Sequence, residues 1–122
     1  MNIMVVDDEQ DITLLFKQKF RREIRHKKLE FSFVFSAEDA LNALKDQEND
    51  LILILADINM PGMNGLELLK IIKENYPEIK VFMVTAYGDD YNYQTAIEYG
   101  ADDYLTKPIK FEHLKERISK LL

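Results

Sequence analysis

Acidic, hydroxyl and amino side chains recur in this sequence at one kind of place, where an apolar run stops. Met4-Val5-Val6 runs into Asp7-Asp8-Glu9, Leu51–Ala56 into Asp57, Val81–Val84 into Thr85, and Tyr104-Leu105 into Thr106-Lys107-Pro108. Gathered in one pocket, these groups have a definite chemistry. Asp7, Asp8 and Asp57 would repel one another, and a hard divalent cation bound by oxygen ligands is the low-cost remedy. Mg2+ suits such a set, because it takes one or two carboxylates, keeps waters and leaves room for a phosphate oxygen. Lys107 adds a flexible point charge with three donors, and Thr85 a hydroxyl, both suited to phosphate oxygens. Phosphoryl transfer needs chiefly positioning and charge neutralisation. Asp57 stands alone after the most apolar run and is the natural nucleophile, since carboxylates form acyl phosphates.

Each residue also has a plainer role. Asp7 and Asp8 suit the cap of a helix beginning near Asp11. Asp57 suits the opening of a turn with Asn59 and Pro61-Gly62. Thr85 fits a strand-end hydroxyl, and Lys107 a surface lysine. The weight lies in the conjunction, with suitable residue types closing four separate apolar runs.

The elements that must position these residues alternate along the chain. Strands are expected at Asn2–Val6, Glu30–Phe35, Leu51–Ala56, Ile79–Val84 and Asp103–Leu105. Between them, apolar residues recur at helical spacing: Ile12, Leu15, Phe16, Phe20 and Ile24, then Ala37, Ala40, Leu41 and Leu44. A third helix through Leu66, Leu69 and Ile72 stops before Pro77, whose predecessor disfavours the α region. A weaker fourth covers about Asp90–Tyr99 and ends at Gly100, a C′ glycine. The last carries Phe111, Leu114, Ile118 and Leu121 on one face and runs to Leu122, so no output domain is expected after it in this chain. Strict alternation of this kind predicts an α/β fold, a five-stranded parallel sheet with helices on both faces. Leu51–Leu55 and Val81–Val84 are continuously apolar, as strands buried on both faces should be. In the flavodoxin-like doubly wound order 2-1-3-4-5, the C-terminal ends of strands 1, 3, 4 and 5 share one rim, which gathers Asp7, Asp8, Asp57, Thr85 and Lys107.

Length and composition set the bounds. At 122 residues the chain is sized for one domain, spanning 1–122, and 47% apolar content supplies a core without metal or disulfide; there is no cysteine. A net charge of −6 argues against direct nucleic-acid binding. The opening residues lack a signal-peptide pattern and the longest apolar run is far too short for a bilayer, so a cytoplasmic protein without membrane association is expected. One basic run, Arg21-Arg22-Glu23-Ile24-Arg25-His26-Lys27-Lys28, reads as the solvated end of a helix plus loop, or else as a partner-docking surface.

Val5-Val6-Asp7-Asp8-Glu9, Asp57 through Gly65, Val84-Thr85-Ala86 and Gly100-Ala101-Asp102-Asp103-Tyr104-Leu105-Thr106-Lys107-Pro108 occur in an order and spacing that resembles the response-regulator receiver domain of two-component signalling. The resemblance covers the whole chain. It implies that Asp57 is the phosphoacceptor, taking its group from the phosphohistidine of a sensor histidine kinase or phosphotransfer protein. It implies Mg2+ as cofactor, with Asp8, Asp57 and the Asn59 carbonyl as direct ligands and Asp7 orienting a metal-bound water. Lys107 would contact the phosphoryl group, Lys107–Pro108 would be a cis peptide, and Thr85 and Tyr104 would form a switch pair. Phosphorylation would then repack the face of the fourth helix, fifth strand and fifth helix for a downstream effector or a fused output domain. The domain would catalyse its own phosphotransfer and autodephosphorylation without a separate substrate. Asn59 and Tyr87 would flank the path of attacking water, and Tyr91, Tyr93 and Tyr99 are either partner contacts or plain surface tyrosines. Three rivals share the fold class: a nucleotide- or flavin-binding module, an aspartyl phosphatase, and a phosphorylation-independent docking domain. The first would place phosphate against Asp7-Asp8-Glu9, which repels it unless a metal intervenes. The second would need more chain for a substrate cap and a second acid close to Asp57.

Overall fold

The computed structural model describes residues 1–47, 50–86 and 90–121. Their order is β1 (Asn2–Val6), α1 (Asp11–Lys19), α2 (Arg21–Arg25), β2 (Glu30–Val34), α3 (Ala37–Gln47), β3 (Leu51–Asp57), α4 (Gly65–Asn75), β4 (Lys80–Ala86), α5 (Asp90–Glu98), β5 (Asp103–Lys107) and α6 (Phe111–Ser119). All strand pairs are parallel, in the order β2-β1-β3-β4-β5. Alternate residues of a strand point to opposite faces, and the core divides accordingly. Met4, Val6, Ile54, Ala56, Val81 and Met83 pack under α3, α4 and α5, through side chains such as Leu44, Leu69, Ile72 and Ala96. Ile3, Val5, Leu53, Leu55, Phe82 and Val84 pack under α1 and α6, against Phe16, Leu114 and Ile118. No helix of the described residues is long and apolar enough to cross a membrane.

Three details depart from the sequence expectations. The first helix is broken. Phe20 leaves helical geometry (φ −107°, ψ 20°) while it is fully buried and stacked 5.7 Å from Phe16, so α2 is a separate turn beyond it. Ile52 is 42% exposed inside the otherwise buried β3. The cause is a register shift, with Leu51 opposite Asn2 and Leu53 opposite Ile3, which leaves Ile52 as the extra residue of a bulge. Finally, β3, β4 and β5 run further than expected, to Asp57, Ala86 and Lys107, so three of the candidate site residues lie within the ladder itself.

Helix ends follow local chemistry. Asn64 caps α4 by accepting from the Glu67 N–H at 3.0 Å, and α4 stops at Asn75, short of Pro77. Gly100, at φ +91°, ends α5 as expected. The Gly100 N–H donates to Ile97 O at 3.1 Å and the Ala101 N–H to Ala96 O at 3.0 Å, the paired bonds of a Schellman motif. The short α2 ends in the same way on a lysine: Lys27 has φ 58°, its N–H donates to Ile24 O, and the Lys28 N–H donates to Glu23 O.

Candidate functional site

The ladder between β3 and β4 pairs Asp57 with Val84, and that between β4 and β5 pairs Thr85 with Thr106 and Ala86 with Lys107. This register, with β1 on the other side of β3, brings the strand ends to one rim. Asp7 and Asp57 are buried (5% and 4% exposed), whereas Asp8 is exposed. One carboxylate oxygen from each of Asp7, Asp8 and Asp57 lies within 4.8 Å of the others. Such an all-oxygen, partly exposed set fits a hard divalent cation.

Backbone donors and one lysine hold the acids in place. The Glu9 N–H donates to Asp7 Oδ1 at 2.9 Å, and the Asn59 N–H to Asp57 Oδ1 at 3.2 Å. Lys107 Nζ donates to Asp57 Oδ2 at 3.0 Å and stands 3.7 Å from Asp7 Oδ2. Burial raises the Asp7 carboxyl above its ordinary range; the Glu9 N–H and Lys107 oppose this, and the negative charges of Asp57 and Glu9 reinforce it. Lys107 is also raised. Burial alone would lower it, but the hydrogen bond and charge of Asp57, helped by Asp7 and Glu9, outweigh that. Its ammonium is thus secured between two carboxylates.

Thr85 is fully buried, and its Oγ1 finds no hydrogen-bond partner among the described residues. Tyr104, opposite Met83, is half-buried; its ring meets Tyr93 of α5 edge-on at 4.9 Å between centroids. The Lys107–Pro108 peptide is cis. Of the three tyrosines near α5, Tyr91 and Tyr93 are exposed, but Tyr99 packs on the core beneath Lys70, whose Nζ is 5.6 Å from the ring centroid. Tyr87 lies outside the described residues.

Two residues support the site in ways that sequence reasoning missed. A Cβ on Gly65 would stand 2.2 Å from the Asp57 carbonyl oxygen and 2.8 Å from Ile58 Cα, so only glycine lets α4 start this close to the acceptor strand. Glu38, at the start of α3, accepts from the Met63 N–H at 3.2 Å and lies against Gly62, which holds the loop after Asp57. Glycines within a motif are visible by spacing, but crowding is not, and the Glu38 contact joins residues 25 positions apart. Beside Lys107, an apolar groove of about 440 Å3 opens between Ile12 and Leu15 on one side and Pro108, Ile109 and Phe111 on the other.

The sequence matches the family profile described as the response regulator receiver domain over residues 3–119. The chain belongs to that family. This receiver domain is 37% identical over 122 residues to the DNA-binding transcriptional regulator NtrC of Proteus hauseri, covering 99% of the chain and 24% of that protein. It is 31% identical over 121 residues to the response regulator ArlR of Staphylococcus haemolyticus, covering 99% of the chain and 52% of that protein. It therefore spans about a quarter and about half of these two relatives. Among solved structures, the response regulator TrrA of Thermotoga maritima in complex with Mg2+–BeF matches the receiver domain at a TM-score of 0.79 and 33% identity, covering 99% and 98% of the two chains. A receiver domain is a signalling module with no separate substrate.

Proposed function

We propose that this receiver domain is a phosphorylation-dependent switch whose acceptor is Asp57. A carboxylate oxygen of Asp57 attacks the phosphorus of a partner's phosphohistidine; the new O–P bond forms as the N–P bond breaks, and the electron pair returns to the imidazole. The partner is a sensor histidine kinase or a phosphotransfer protein, and the apolar groove beside Lys107 offers it a footing. Asp8, Asp57 and the Asn59 carbonyl would hold Mg2+, with Asp7 orienting a bound water. Neutralisation of the phosphoryl oxygens and of the crowded acids is what Mg2+ supplies when bound. Lys107 donates to one phosphoryl oxygen and Thr85 to another, and the same site later hydrolyses its own acyl phosphate.

The observation that carries this reading is a buried Asp57 within 4.8 Å of two further carboxylates and 3.0 Å from an ammonium. Incubation with acetyl phosphate and Mg2+, read by intact mass, should add one phosphoryl group, labile to hydroxylamine. Asp57→Ala should gain none, and a wild-type chain that takes up no phosphate would refute the proposal.

As Thr85 turns toward the phosphate, Tyr104 moves with it, and the face of α5, β5 and α6 repacks for an effector or a fused output domain. The break in the first helix makes these the fifth and sixth helices, the fourth and fifth of the sequence-based count. The phosphate biases the two states only by its differential interaction with them, typically about 1–3 kcal/mol.

A further inference from the structure

The basic run that follows α1 takes no part in the phosphoryl site. Lys17, Arg21, Ile24, Arg25, Phe31 and Phe33 line a separate groove of about 370 Å3 on the outer side of β2, the edge strand. Phe31 and Phe33 are half-buried. They rest on Phe16 at 5.6 and 6.2 Å between centroids and stack on each other at 6.1 Å, and Ile24 completes the apolar floor. Around it stand three exposed cations. Among the described residues, the side chains of Lys17, Arg21 and Arg25 form no ion pair or hydrogen bond, while Glu23, in the same short helix as the two arginines, lies 3.3 Å from Lys115 instead. Mutual repulsion of three like charges does nothing for the fold, and the cluster sits in a protein of net charge −6.

We propose that this groove docks an acidic segment of a partner protein, with an aromatic or leucine side chain seated on Phe31 and Phe33 and flanking carboxylates on Lys17, Arg21 and Arg25. Charge complementarity selects the occupant: arginine forks grip carboxylates in bidentate fashion, and an apolar anchor ringed by charge is the usual form of a small binding hot spot. A nucleic acid also presents rings and negative charge. The domain's overall charge repels such a polyanion, whereas a short acidic segment engages only the local field. The inference is independent of Asp57 chemistry, since no residue of the phosphoryl site lines the groove.

The test is a titration of the 15N-labelled chain with the peptide acetyl-Asp-Glu-Asp-Leu-Phe-Asp-Glu-Asp-amide, followed by amide shifts. Saturable shifts should centre on Lys17 to Arg25 and on Phe31 and Phe33. Binding should weaken at least about fivefold on raising ionic strength to about 0.3 M, where the Debye length is roughly 6 Å. Replacing Leu-Phe in the peptide by Ser-Ser should weaken it at least about tenfold, as should the exposed triple variant Lys17→Glu/Arg21→Glu/Arg25→Glu. The wild-type titration stands even if that variant folds poorly, and Arg25→Ala alone should give a smaller loss. No shifts in this region, equal affinity for the Ser-Ser peptide, or tighter binding of a thymidine oligonucleotide at the same residues would each overturn the proposal.

Discussion

At the scale of single residues, the receiver domain keeps two buried groups in states that cost folding energy. Asp7 shows this through pH. Because its carboxyl is raised in the folded protein, the native state holds that proton more tightly than the unfolded chain does, so stability falls as pH climbs from the ordinary carboxylate value of 3.8 through the raised one. Asp7→Asn removes the loss and keeps an oxygen for the Glu9 N–H. In urea unfolding with EDTA, the variant should match wild type below about pH 3 and be the more stable protein at neutral pH. An advantage that stays flat with pH would contradict this account. At this scale part of the site was legible in the sequence: Asp7, Asp8, Asp57 and Lys107, singled out by type and position, do come together on one rim. Gly65 and Glu38 were not legible as supports, because backbone crowding and a contact between distant loops leave no trace in composition or spacing.

At the scale of elements, α2 and α5 end in the same hydrogen-bonded motif on different residues, which makes a paired experiment. A Cβ at Gly100 would meet only Lys73 Cγ at an ordinary 3.6 Å, so the cost of Gly100→Ala is conformational, about 1 kcal/mol. Lys27→Gly relieves the same kind of strain and should gain about 0.5–1 kcal/mol; the two midpoint shifts in urea should have opposite signs. Among their described residues, α5 buries only Ala96 and α4 buries Gly65, Leu66, Leu68, Leu69 and Ile72. The proposed switching face therefore includes the more weakly anchored helix. Addition of beryllofluoride and Mg2+ should therefore move amide signals around Tyr93, Tyr104 and α5 far more than those of α4, and unmoved signals there would end the proposed repacking. Apolar periodicity marked α1, α3, α4 and α6, and the glycine stop marked the end of α5. Periodicity missed the break at Phe20 because a buried aromatic at the expected spacing looks the same whether the backbone continues or turns, and it missed the Ile52 bulge because register belongs to two strands together.

At the scale of the whole molecule, the sheet order decides the function. Asp7 and Lys107 are 100 positions apart in the sequence, yet their charged atoms approach to 3.7 Å only because β1, β3, β4 and β5 lie side by side. Strand alternation and the doubly wound order made that assembly readable in advance, since parallel strands open their ligand crevice at their C-terminal ends. The proposed cation site also ties global stability to Mg2+. At a free concentration about ten times the dissociation constant, binding should add about 1.4 kcal/mol, seen as a rise in the thermal midpoint. Asp8→Asn should abolish most of that rise, and a midpoint indifferent to Mg2+ would count against the site.

The Thr85 hydroxyl, unpaired among the described residues, has an evolutionary corollary. A buried donor left unmatched handicaps the resting protein by about 1–3 kcal/mol, and valine would fill the same space without it. A laboratory lineage selected for heat resistance alone would thus drift toward valine at position 85 and asparagine at position 7, growing sturdier and, if the proposed switch is right, losing its ability to carry a message. Persistence of both residues under such selection, with signalling left unselected, would mean that they serve the fold.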